Sequence, residues 1–169
     1  MIAYKFLGPD GTSKFTGFRW DLPDGKPGRW VDARANLCRS GVHACRASEL
    51  PLWAGQTLYE IELDGEIVEG ESKLLASRGR LLRRLDAWDE GIREAYTRMC
   101  AVRAHELASS VTAAPGDWDA VIDPAVPEGP ALLGFVAARI AEEISGREGY
   151  WAERARQASW LTERLGLDG

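Results

Sequence analysis

A chain of 169 residues with a net charge of −5, 45% hydrophobic and 28% charged, is long enough to bury its own core as one domain without disulfide staples. The acidic balance argues against general nucleic-acid binding, which needs a basic field, without excluding a local basic patch, and no apolar run reaches the roughly 18 residues of a membrane helix. Residues 1–9 lack the basic start and apolar stretch of a signal peptide, and three cysteines, an odd number, suit free thiols, so a cytoplasmic location without membrane contact is expected.

The first 85 residues read as short strands separated by turns. Residues 2–7 are apolar and aromatic, and Gly8-Pro9-Asp10-Gly11 is a turn cluster. Residues 14–20, with Phe15, Phe18 and Trp20, read as a second strand; 21–28 is a loop holding two prolines and two glycines; 29–33 is a third short strand. Residues 37–45 form a strand interrupted at Ser40-Gly41, and Ser48 is placed as the cap of a short helix running to Trp53. Tyr59, Ile61 and Leu63 alternate with Glu60 and Glu62, and Asp64-Gly65 follows. Asp-Gly accepts the positive φ angles of a type I′ turn, so a hairpin is predicted with Leu63 opposite Glu66 and Ile61 opposite Val68. Residues 73–85 read equally as a further strand or as the lead into the first long helix.

The second half is helical. Ile92, Tyr96, Met99, Val102 and Leu107 recur near the 3.6-residue period, with Asp89 and Glu90 at the start, where negative charge suits a helix. Prolines and glycines make 111–130 a loop. Pro130 then opens a helix with the stripe Leu133, Val136, Ile140 and Ile144, ended by Ser145-Gly146. The last helix carries Trp151, Ala155, Ala158, Leu161 and Leu165 on one face, with Gly166 as its C-terminal cap. The sum is an α+β protein. An N-terminal antiparallel, strand-rich half (1–85) packs against a C-terminal bundle of about three helices (86–169), within one domain, 1–169, with 111–130 as the candidate hinge.

Four groups of residues carry chemistry. Cys38, His43 and Cys45 lie within eight residues, and Cys100 and His105 could complete a tetrahedral metal site. The spacing matches no zinc motif and lacks CxxC, so buried inert thiols are the preferred reading and no metal is assigned. A cysteine nucleophile beside His43 or His105 has no local signature. The basic run Lys73, Arg78, Arg80, Arg83 and Arg84, uninterrupted by an acid, suits a phosphate or carboxylate, against the commoner reading of a solvated face paired to nearby acids. Of seven tryptophans, Trp118 lies between Asp117 and Asp119 in the proline-rich loop and is the one expected to be exposed, as a ligand lid or partner anchor. The phosphate-loop, dinucleotide, zinc-protease and hydrolase-elbow motifs are all absent.

The segment Cys38-Arg39-Ser40-Gly41-Val42-His43-Ala44-Cys45, the run Glu62-Leu63-Asp64-Gly65-Glu66-Ile67-Val68-Glu69, Lys73-Leu74-Leu75-Ala76-Ser77-Arg78 and the tail 153–161 resemble a family of uncharacterised actinobacterial and phage proteins. The resemblance covers most of the chain and implies no activity, but it marks His43, Lys73 and Arg78. The layout is also similar to small ADP-ribosyltransferases of the rifampicin-modifying kind, which implies an NAD-dependent transferase. Those enzymes open on a His-Gly-Thr strand, and here the region reads Tyr4-Lys5-Phe6-Leu7-Gly8, leaving His43 and Tyr59 as the substitutes.

The expectation is a small enzyme or ligand-binding protein that takes an anionic small molecule in a cleft between the two halves. His43 and Tyr59 are its catalytic candidates; Lys73, Arg78, Arg80 and Trp118 are its ligand-binding candidates; no cofactor is called for. The alternative is a non-catalytic module that binds a protein partner, and the third reading is the NAD-dependent transferase.

Overall fold

The two-residue alternation that a sheet imposes is carried furthest in two long neighbouring strands. In the computed structural model, which describes residues 1–33, 41–111 and 130–167, the chain forms two compact units, Met1–Trp88 and Asp89–Gly169. The first holds strands β1 (Ile2–Leu7), β2 (Val31–Asp32), β3 (Val42–Ala44), β4 (Thr57–Glu69) and β5 (Leu74–Arg84), with a 3-10 turn at Ala47–Glu49 leading into the short helix α1 (Leu50–Trp53). The second holds α2 (Glu90–Ala108) and α3 (Pro130–Leu165). The protein is α+β, with an antiparallel five-stranded sheet in the N-terminal half and helices in the C-terminal half.

The sheet runs β1-β4-β5-β2, and β3 also pairs with β5. Just past β3, Cys45 exchanges both backbone hydrogen bonds with Tyr4 of β1, at 2.8 and 2.9 Å. The path β1-β4-β5-β3 thus closes on itself. One side chain in two points into the apolar interior, among them Ala3, Leu7, Val42, Ala44, Ile61, Leu63, Leu74 and Leu81. Trp20 joins them from the preceding excursion, its indole N–H donating to Ser13 Oγ at 2.9 Å.

The predicted hairpin at Asp64-Gly65 is corrected. β4 runs straight through this dipeptide, pairing Leu63 with Gly79 and Asp64 with Arg78, then Ile67 with Ala76 after a register shift. Two β4 residues oppose one of β5, which is a β-bulge with Gly65 at φ 74°. The positive φ read as a turn signal is real, but it serves a bulge. The reversal comes later, where Gly70 N–H donates to the Lys73 carbonyl at 2.8 Å. Residues 73–85, left open between strand and helix, supply β5.

Two other local expectations are corrected. Residues 14–20 form no strand: Ser13 and Gly17 close a turn, only Thr12 and Arg19 bridge, and Phe15 is 80% exposed. Gly17 at φ 66° breaks the run of extended residues a strand needs. Ser48 caps nothing. It lies inside the 3-10 turn, whose cap is Arg46; the Glu49 carboxylate accepts from the Arg46 N–H at 2.8 Å.

In the second unit Asp89 caps α2, accepting from Ile92 N–H at 2.8 Å, a contact typically worth about 1 kcal/mol. The buried face of α2 is Tyr96, Cys100, Ala101 and Ala104, while Val102, assigned to the core by periodicity, is exposed. α3 breaks at Gly146, with φ 68° and ψ −163°, where Ser145-Gly146 was expected to end a helix. Its first arm buries Leu133, Val136 and Ile140 but leaves Ile144 exposed. Its second arm buries Ala158, Leu161 and Leu165 as expected, yet leaves Trp151 and Ala155 exposed and buries Glu153, Arg154 and Gln157 instead. Polar residues fill that face because they satisfy one another. Gln157 Nε2 donates to the Gly134 carbonyl and to Glu153 Oε1, both at 3.0 Å, and Arg154 Nη1 donates to Gln157 Oε1 at 3.1 Å. No described helix is long and apolar enough to cross a membrane.

Candidate functional site at the β1–β3 closure

Where the sheet closes, strand pairing is thin, and a side chain completes it. Lys5 follows Ala3 and precedes Leu7 on β1, so alternation aims it into the interior. Its Nζ donates to the His43 carbonyl at 2.6 Å and lies 5.1 Å from the centre of the Trp20 ring. Burial pulls its ammonium down to about 8, against a small opposing effect of Cys45. The sequence reading missed Lys5. The signal was there, as a lysine placed between two apolar residues that strand alternation sends inward.

His43 alternates with the buried Val42 and Ala44, so its imidazole lies on the opposite, outer face of β3. Its Nε2 is buried and has no hydrogen-bond partner among the described residues. Burial lowers its pKa, and the nearby positive charges of Lys73 and Lys5 lower it further. The imidazole is therefore neutral at neutral pH, with a ring nitrogen able to donate to or accept from a ligand. Cys45, two residues on, shares that face, but burial raises its thiol pKa, with Glu49 adding to the shift and Lys5 opposing it. A protonated buried thiol is a poor nucleophile and a poor metal ligand. Cys100 is likewise pushed up to about 12 by burial. Among the described residues no group of three His, Cys, Asp or Glu side chains could hold a metal ion.

The other sequence candidates fall in different places. Tyr59 is 3% exposed, paired with Lys5 across the β1–β4 ladder and packed in the interior. Lys73 sits at the end of the β4–β5 turn, within electrostatic range of His43. Arg78 lies five residues along β5 from Lys73, about 17 Å at strand rise, so the two do not meet on one small group. Arg78 instead stacks on Trp30, its guanidinium carbon 4.4 Å from the ring centre, with Arg80 at 4.5 Å from the same ring. Arg80 pairs with Glu62 at 2.7 Å, and Arg83 with Glu60 at 2.8 Å. Arg78 Nε comes within 3.3 Å of Asp32 Oδ1 without hydrogen-bond alignment. The basic run is thus largely a ladder of cross-strand ion pairs, formed with acids of β2 and β4. Trp118 and Cys38 lie outside the described residues.

Comparison with protein-family models, with characterised proteins and with solved structures found no match. The site is read from its own geometry.

Proposed function

We propose that the N-terminal unit binds an anionic small molecule beside His43, with Lys73 holding the anion and the imidazole donating to it or exchanging a proton with it. The observation that carries this reading is the buried, unpartnered His43 Nε2, set in the positive field of Lys73 and Lys5. A buried polar atom without a partner is costly, at about 1–3 kcal/mol, and an anion there would satisfy it. A bound anion would also offset the positive field that adds to burial in depressing the imidazole, so binding and protonation support each other. The same imidazole, its proton affinity restored by a bound anion, is suited to acid–base work on the bound molecule.

Only two histidines occur, His43 and His105, so a proton NMR titration resolves them, with His105→Gln to assign the peaks. The His43 resonance should titrate below 6.5 in the free protein and move upward with inorganic phosphate or a small carboxylate. Lys73→Ala should weaken that response. A His43 titration indifferent to every anion tried, NAD included, would sink the proposal. A protein-binding module is favoured by one observation, the exposure of Phe15, Phe18 and Leu22 within a single excursion. Retention of a protein partner by wild type but not by Phe15→Ser, with no anion response, would support it instead.

A further inference from the structure

The second unit carries a groove that none of the preceding chemistry uses. The α2 residues that recur every three or four positions from Gly91 to Glu106 line one side, and Arg156 and Trp160 of α3 complete it, bordering an open volume of about 600 Å³. That volume suits a small organic ligand. Its apolar surface comes from Met99, Val102 and Trp160, and its cations are Arg98, Arg103 and Arg156.

Two of these cations are fixed from behind. Glu153, 4% exposed, accepts from Arg156 Nη2 at 2.6 Å and Nε at 3.0 Å, and from Arg103 Nε at 3.2 Å. A buried carboxylate therefore orients two guanidinium groups whose remaining N–H donors are uncommitted to it. Arg103 also donates to Glu106 at 3.1 Å. The Arg98 side chain is exposed and makes no hydrogen bond or ion pair among the described residues. The groove thus offers one unengaged guanidinium beside two oriented ones, next to an indole and two aliphatic side chains. Glu94 and Glu106 also line it, and their charge disfavours a dianion such as a phosphate monoester.

We propose that this groove binds a carboxylate attached to an apolar or aromatic body, the carboxylate on Arg98 and its neighbouring guanidiniums and the body against Met99, Val102 and Trp160. This site belongs to the second unit and the one at His43 to the first.

The test is calorimetric titration of the full chain with phenylacetate, and with 2-phenylethanol and phenylphosphate as neutral and dianionic counterparts. In His43→Ala, which lacks the anion site of the first unit, phenylacetate should still bind once per chain, at least about tenfold more tightly than either counterpart. Adding Arg98→Glu, an exposed change that leaves the fold's packing alone, should abolish that binding. Equal binding of phenylacetate and 2-phenylethanol would overturn the proposal, as would tighter binding of phenylphosphate or no saturable binding. Loss of binding in His43→Ala but not in Arg98→Glu would move the carboxylate to the first unit and overturn it too.

Discussion

The half-buried lysine at the sheet closure makes a prediction that can be worked through. Lys5 is held near 8 when folded against an ordinary value of 10.5. The sign follows from proton counting. Between pH 8 and 10.5 the unfolded lysine keeps its proton while the folded one has lost it, so the unfolded state binds more protons and stability rises with pH. At about 1.4 kcal/mol per pH unit, the gap is worth about 3 kcal/mol, an upper bound because solvent near the strand edge screens part of it. Lys5→Met removes that slope. Near pH 7 the substitution should change stability little. It relieves the burial of a charge but leaves the His43 carbonyl without its donor, a loss of about 1–3 kcal/mol. The assay is urea denaturation at intervals from pH 7 to 10.5, reading the difference between wild type and variant. Cys45 acts in the opposite direction in both proteins, since its buried thiol stays protonated where an unfolded one ionises, and much of its effect cancels in the difference. Parallel stability curves for wild type and Lys5→Met would refute the reasoning.

Other consequences are as direct. Gly65→Val places a β-branched residue at φ 74° and should lower stability by about 1–2 kcal/mol, with Gly65→Asn milder, read as the urea midpoint. Glu153→Gln leaves Arg103 and Arg156 without their shared carboxylate and should cost about 3 kcal/mol, measured by thermal or urea unfolding. Burial alone would raise the Glu153 pKa, but hydrogen bonds from Arg156 and Gln157, the Arg156 charge and the Arg103 bond together lower it. Its contribution should therefore be present above the ordinary carboxylate range and disappear as pH falls through the folded value. That acid-side loss should be missing from Glu153→Gln. Gly134→Ala puts a Cβ 2.9 Å from Tyr96 Oη and 3.0 Å from Gln157 Oε1. It should destabilise by about 1–3 kcal/mol through crowding of the buried network, again visible in the urea midpoint.

The sequence displayed what depends on local rules and concealed what depends on pairing. The α+β division, the break at Ser145-Gly146 and the acidic start of α2 follow from composition, backbone freedom and helix electrostatics, all of which act within a few residues. Asp64-Gly65 shows where that stops. A positive φ fits a turn and a bulge equally well, and only the partner strand decides between them. The buried stripe of α2 was mis-set because periodicity counted large apolar residues, whereas tight packing selected Cys100, Ala101 and Ala104. The polar seam of Glu153, Arg154 and Gln157 was invisible for the converse reason, since charged residues read as surface until their partners are known. At the candidate site His43 and Lys73 were legible as residues with chemistry. Lys5 was legible only as an inward-facing lysine; its bond to the His43 carbonyl, 38 residues further along the chain, was not.

The closure of β1 onto the segment after β3 also bears on how this protein can meet others. A sheet with a long free edge invites an extended peptide to add as a further strand, through unspent backbone N–H and C=O groups. Here β1 is bonded to β4 on one side, and on the other it is engaged by Cys45 and by the Lys5 bond to the His43 carbonyl. Among the described strands, free edge remains at the two-residue β2, too short to template a stable addition, and along residues 64–69 of β4, which pair only with β5 and are bulged at Gly65. At β1 and β2, recognition of a partner must therefore rely on side-chain surfaces. Substitutions that open the closure, such as Tyr4→Pro, should expose a backbone edge and promote strand-paired aggregation.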